Sequence, residues 1–275
     1  MGTDAATRHN RDRHGTIETR RAPAPVIIVG MESFVVHPVR PDVEVRIIRP
    51  MPRLQAALEA RIDALWSAAS TRVAAGGAGR LFNGRVFSID TIAPERITGH
   101  LTEYRRLVAQ LEDHALFGEL GIRSLAACGV LSCSAGVVIG RRPAAAIYQP
   151  GMWQLCPAGS VDGGAARPEG TMDYRAQLQT ELQEELGISP EVIGAITPLC
   201  VVEHAGSHVS DLGMAVCTTL SADAIRAAHH TRGNGEYDPL RIVPITELPD
   251  FIERAGDTLV PPAPVFLVHA GLLAM

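Results

Sequence analysis

Lysine is missing from this chain of 275 residues, and all 25 of its basic side chains are arginine. That excludes lysine Schiff-base chemistry, pyridoxal phosphate anchoring and a standard P-loop, each of which needs a lysine amine. Phosphate recognition survives the loss, because the arginine fork matches phosphate oxygens well. The bias toward arginine is read as a GC-rich genome rather than a mechanism. The five cysteines, Cys128, Cys133, Cys156, Cys200 and Cys217, form no CxxC pair and are odd in number. They read as buried free thiols of a cytoplasmic protein rather than as a disulfide set or a metal site. No apolar run reaches the roughly 18 residues that a bilayer span requires, so no membrane partner is expected. The opening stretch up to "APAP" lacks an apolar signal core, carries Asp4, Asp12 and Glu18, and has Ala6 where a myristoylation motif wants Ser or Thr. It reads as a disordered tail.

What is present is enough for a real core. The chain is 46% hydrophobic and 20% charged, with a net charge of −5. The negative balance argues against a broad nucleic-acid surface but leaves room for a small anionic substrate held by local arginines. "PVIIVG" and "VEVRIIRP" read as strands on either side of a turn at Pro38 and Pro41. Leu54, Leu58, Ile62, Leu65 and Trp66 recur at helical spacing until "GGAG" stops the helix. A hairpin around Asn83-Gly84 and a helix capped by Thr102 follow. From residue 125 two strands lead to "GMWQLCPAGSVDGG", a strand entering a Gly-rich loop. An acidic helix comes next, then two strands, a helix opened by Ser221, a loop and strand near "EYDPLRIVP", and a final amphipathic helix. Strands alternating with helices indicate an α/β layer fold. Trp66 and Trp153 read as core, and His204, His208, His229 and His230 as ordinary surface or core residues without metal-like partners.

The acidic helix, "RAQLQTELQEELGI", places Leu178, Leu182 and Leu186 on one arc and Glu181, Glu184 and Glu185 on the next. Crowding like charges costs about 0.2–0.5 kcal/mol per exposed pair. A bound cation or plain solvation would each offset that cost.

"ELQEELGI" resembles the second half of the Nudix box, G-x5-E-x7-R-E-U-x-E-E-x-G-U, with Glu181, Leu182, Glu184, Glu185, Gly187 and Ile188 at the matching offsets. "GVVIGRR", "WQLCPAGSVDGG" and "EYDPLRIVPITEL" resemble flanking parts of that family, in order, over about residues 125–255. Three positions depart: Thr180 stands for the box arginine, Met172 for its first glutamate and Ala166 for its glycine. Arg175 and Gln177 are candidates to replace the arginine. The front half, "IDALWSAASTRV" through "GHLTEYRRLVA", resembles the Nudix hydrolases of mammals that cleave UDP-glucose and UDP-galactose.

The resemblance implies a Nudix-type α/β/α sandwich with a mixed sheet over residues 125–275. An α+β extension over 25–124 and the tail over 1–24 would precede it. It further implies Mg²⁺, or Mn²⁺ in its place, held by Glu181, Glu184, Glu185 and the Gly159 carbonyl. Glu181 and Glu236 would serve catalysis, with Asp238 and Glu203 as weaker alternatives to Glu236. Arg141, Arg142, Tyr104 and Arg105 would bind substrate. The implied reaction is hydrolysis of a nucleoside diphosphate sugar, a UDP-sugar giving UMP and sugar 1-phosphate. Two readings stay open beside it: another diphosphate (ADP-ribose, coenzyme A or a dinucleotide), and a non-catalytic nucleotide-sugar sensor suggested by Thr180 and Met172. An oligomer is left open.

Overall fold

A computed structural model describes residues 26–29, 32–76 and 80–274; the tail expected over 1–24 lies outside the described residues. In chain order the elements begin with strands β1 (Val26–Val29), β2 (Glu32–Pro38) and β3 (Glu44–Ile47), then helix α1 (Ala56–Ala75). Strands β4 (Arg85–Ala93) and β5 (Arg96–Glu103) run into helices α2 (Tyr104–Glu112) and α3 (Phe117–Leu120). Four strands follow: β6 (Leu125–Cys133), β7 (Gly136–Arg141), β8 (Trp153–Leu155) and β9 (Ala158–Ser160). The rest comprises α4 (Tyr174–Leu186), β10 (Thr197–His204), β11 (Ser210–Cys217), α5 (Ala222–Arg232), β12 (Leu240–Val243), α6 (Leu248–Ala255) and α7 (Pro262–His269).

The large sheet runs β1-β2-β10-β11-β6-β7-β12, with β8 on β7 and β9 on β6; β3-β5-β4 form a smaller sheet. Only β11 and β6 pair in parallel within the large one, so the sheet is mixed. Alternation along β6 sends Leu125, Ala127 and Leu131 into one core with α4, and Cys128 and Val130 into another with α6 and α7. A strand covered on both faces reads as a nearly continuous apolar run, as "LAACGVL" does. The result is the α/β/α sandwich that the alternating elements imply. Among the described residues, no helix is long and apolar enough to cross a membrane.

Four local expectations are corrected. The turn falls at Pro41-Asp42, but Pro38 ends a strand, β2, that was not expected: Phe34 and Val36 alternate into the core while the segment pairs with β10. The β4–β5 hairpin turns at Pro94-Glu95, not at Asn83-Gly84. Asn83 and Gly84 instead accept the amides of Arg105 and Tyr104, and so satisfy the free N–H groups that open α2 in place of Thr102. Of the cysteines, Cys128, Cys156 and Cys200 are buried free thiols, whereas Cys217 is exposed.

α4 is the element that matters most for the site. Asp173 caps it by accepting from the Ala176 amide at 2.9 Å, and Arg167 steadies that carboxylate. Gly187, at φ +63°, ends it in the left-handed region, and Arg232 of α5 donates to the Gly187 carbonyl at 2.7 Å. Leu178, Leu182 and Leu186 are completely buried, each contributing about 1.5–3 kcal/mol of burial. Leu182→Ala is therefore expected to lower stability by about 2–5 kcal/mol, measured by urea unfolding; a loss under 1 kcal/mol would contradict this packing.

Candidate active site

A cavity of about 380 Å³ opens between the β6–β9 edge, α4, and the α1–α2 pair. Glu181 and Glu185 enter it from α4, Gly159 and Ser160 from β9, Arg142 from the end of β7, Glu236 from the loop before β12, and Tyr104 from α2. The sequence candidates therefore separate. Glu184 stays exposed and does not line the cavity. Arg105 is turned toward α1, where Glu59 and Asp63 bind it, and it also pairs with Glu103 at the end of β5. Arg141 donates to the Gly151 carbonyl and lies over the Trp153 ring. Trp153 is core, as expected, but Trp66 is only half-buried and packs edge-on against Tyr104.

Each carboxylate is positioned by a specific neighbour. Gln177, one of the two candidates to stand in for an arginine at position 180, donates to Glu181 Oε1 at 2.8 Å. Arg175, the other candidate, holds the Ile196 and Pro41 carbonyls instead. Thr180 is exposed and bonds back to the Ala176 carbonyl, and Met172 is core. The Glu181 carboxylate lies so close to β9 that a Cβ on Gly159 would sit 2.1 Å from Oε1. Glu185 is 3% exposed and accepts from the Ala158 amide at 3.0 Å. Glu236 follows a turn in which Asn234 accepts its amide, and its neighbour Tyr237 packs on Gly140, whose lack of a side chain makes room for the ring.

Burial pushes the Glu181 carboxyl up to about 7; the hydrogen bond from Gln177 opposes this, and the charges of Glu184, Glu236 and Asp162 add to it. Burial also raises Glu185 well above the carboxylate range, with the charges of Glu181 and Glu236 reinforcing it. Neither carboxylate has an ion-pair partner among the described residues. Arg142 stands near Glu236 at 3.9 Å and holds Gln154 at 2.5 Å. Its Nε is buried with no hydrogen-bond partner among the described residues.

Two weaker candidates are accounted for elsewhere. Burial alone would raise Glu203, but hydrogen bonds from His37 and Arg123 outweigh it and hold the carboxyl at about 2. Asp238 gives its amide to the Arg141 carbonyl. The N-terminus of α4 is taken up by the Asp173 carboxylate and does not line the cavity. One cavity residue had no place in the sequence reading. Asp211 lies on β11 and is bonded to His204 at 2.9 Å; its only signal was an acidic residue inside an otherwise apolar strand.

Among the described residues no three His, Cys, Asp or Glu side chains are grouped to hold a metal ion by themselves. Mg²⁺ does not require such a cage, since one or two carboxylates complete its octahedron with waters and phosphate. The buried Glu185 and the half-buried Glu181, without cationic partners among the described residues, suit that ion in donor type.

No family model and no curated protein sequence matches the chain. Several solved structures align with part of it. DR0079 of Deinococcus radiodurans is 13% identical over 69% of this chain and 99% of its own, with a TM-score of 0.44. A C. elegans Ap4A hydrolase in a binary complex is 16% identical over 53% and 95%, with a TM-score of 0.37. Tm1382, provisionally assigned as a Nudix hydrolase, is 13% identical over 70% and 90%, with a TM-score of 0.37.

Proposed function

We propose that the protein is a Nudix-type pyrophosphatase that uses Mg²⁺ to cleave a nucleoside diphosphate sugar, a UDP-sugar giving UMP and sugar 1-phosphate. The observation that carries this reading is a single cavity holding Glu181, Glu185 and Glu236 opposite Arg142, with a guanidinium N–H left unbonded. Like-charged carboxylates crowded together, one buried and two half-buried, call for a cation, and the arginine among them calls for an anion; a magnesium-bound diphosphate supplies both. Glu181, Glu185 and the Gly159 carbonyl would hold the cation, with the exposed Glu184 in an outer role. Bound there, it would neutralise phosphate oxygens and acidify a water.

Glu181, whose Oε1 is held by Gln177, would take the proton of the attacking water. Arg142 would donate hydrogen bonds from its guanidinium to the diphosphate oxygens, and Glu236, 3.9 Å from that group, would orient it. As the new phosphorus–oxygen bond forms, the bridging bond breaks and the departing phosphate carries the electron pair. Phe82, highly exposed, and Tyr104 lie where an adjoining cleft meets Glu181 and Ser160. A flat apolar face at that point suits a nucleobase. Val73, Tyr104 and Leu107 of the preceding extension wall the cavity of the hydrolase domain, while β1 and β2, from the start of that extension, join the domain's large sheet.

Incubation with UDP-sugars, ADP-ribose, coenzyme A and dinucleotides in Mg²⁺ is expected to release UMP and sugar 1-phosphate fastest from the UDP-sugars. Faster cleavage of another compound would move the substrate, and cleavage of none would refute a pyrophosphatase. In the same assay Glu184→Gln is expected to cost at least tenfold less in kcat/KM than Glu185→Gln, because only Glu185 lies inside the cavity.

A further inference from the structure

The cavity has a second polar end that the diphosphate chemistry above does not use. Asp211 lies opposite Ala126 on β6, and Ala126 lies opposite Ser160 on β9. Residues paired in this way face the same side of the sheet, and strands are spaced about 4.8 Å apart, so the Asp211 and Ser160 backbones are roughly 10 Å apart. All three positions line the cavity, and the small side chain of Ala126 keeps the floor between the ends open.

The Asp211 carboxylate is built into place. Its side chain is 12% exposed, Oδ2 accepts from His204 Nε2 at 2.9 Å, and Oδ1 accepts from the Cys128 thiol at 3.4 Å. With the proton on Nε2, His204 Nδ1 accepts from the Tyr148 hydroxyl at 3.0 Å, and Tyr148 in turn bonds Ser207 at 2.9 Å. The ring of His204 is 2% exposed, so it orients the carboxylate without reaching the ligand itself. An ionised carboxylate accepts about four hydrogen bonds, so Asp211 keeps acceptor capacity for donors in the cavity. It also repels a second anion there. Among the uncharged donors joined to a diphosphate, sugar hydroxyls come in neighbouring pairs that one carboxylate can accept together.

We propose that Asp211, oriented by His204 and Tyr148, is a specificity residue that accepts hydrogen bonds from neighbouring hydroxyls of the substrate's sugar. This rests on the diphosphate reading of the same cavity. Hexose and ribose offer the same chemistry, so the test separates them.

Asp211→Asn in the full chain is assayed with Mg²⁺ on UDP-glucose, on its 2′,3′-dideoxyribose analogue, and on a UDP alkyl ester that lacks the hexose. Loss of a hydrogen bond to a charged acceptor predicts a KM for UDP-glucose raised about 10–100-fold, with kcat within threefold. The penalty should shrink below threefold on the compound that lacks the recognised hydroxyls: the alkyl ester for a hexose contact, the dideoxy compound for a ribose contact. Tyr148→Phe keeps the ring but frees His204, and should raise the same KM by about threefold; it decides the matter if Asp211→Asn does not fold. An equal penalty on all three compounds, or an unchanged KM for UDP-glucose, overturns the assignment. Should the wild-type protein cleave none of them, calorimetric Kd values for the same set answer the question, so that the pyrophosphatase reading and the hydroxyl site fail separately.

Discussion

Replacing Gly159 with alanine is expected to abolish most diphosphate cleavage, with kcat/KM falling about 10²–10³-fold, while the protein still folds. The added methyl would sit 2.1 Å from Glu181 Oε1 and 2.3 Å from its Cδ. Both atoms belong to the far end of a flexible side chain, so the backbone need not move and the carboxylate can swing aside. Swinging aside breaks its 2.8 Å hydrogen bond from Gln177 and removes it from the β9 edge. A displacement of about 1 Å at a reacting group is enough to cost roughly 10² in rate. The loss should therefore appear in kcat, with KM and the melting temperature little changed. Activity within threefold of wild type would mean that the Glu181 carboxylate does no work at that edge.

The same residues show how far the sequence reaches. Leu178, Leu182 and Leu186 recur at a helical interval, and their complete burial follows from that spacing alone. The adjoining arc of glutamates is real, but its three members have different fates: Glu185 is buried, Glu181 lines the cavity, and Glu184 faces solvent. A helix turns by about 100° per residue, and which of two adjacent glutamates enters a cavity depends on where β9 and the loop of Glu236 pack, which no local pattern encodes. Tyr104 and Arg105 separate in the same way, one toward the cavity and one toward the acidic face of α1.

Local signals also mislead where tertiary structure uses them for something else. Asn83-Gly84 has the composition of a hairpin turn, yet its polar atoms terminate α2, and the chain turns at Pro94-Glu95. The segment of β2 ends in His37-Pro38, which reads as punctuation, although Phe34 and Val36 carry the period of a strand. The Gln177 bond to Glu181 was legible, since residues four apart on a helix meet; Thr180, at the position of the box arginine, simply bonds to its own helix.

Without divalent cations the protein is expected to lose stability as pH rises from about 5 to 8, and Glu181→Gln should remove much of that loss. The Glu181 carboxyl is raised from its ordinary 4.5 to about 7 in the fold, so the folded state binds its proton more tightly than the unfolded chain does. The resulting stabilisation is fully present below about 4.5 and is lost as pH climbs through about 7, amounting to about 3 kcal/mol at 1.36 kcal/mol per unit. Glu185 is raised well above its ordinary range for the same reason, burial first and the Glu181 charge second, and it acts in the same direction. Burial lowers His100, His208 and His229, which instead favour the folded state as pH rises past their unfolded range near 6.5. Their effect is present in wild type and variant alike, so the melting-temperature difference between Glu181→Gln and wild type reports the Glu181 carboxylate together with the share of the Glu185 shift that its charge causes. That difference should grow in favour of the variant between pH 5 and 8 by roughly 2–4 °C for each kcal/mol, the scale for domains of 150–250 residues. Adding Mg²⁺ at pH 8 should raise wild type more than the variant, because a cation offsets the repulsion that the substitution has already removed. A difference that stays flat across the range, with and without Mg²⁺, would show that Glu181 is solvated rather than buried against β9.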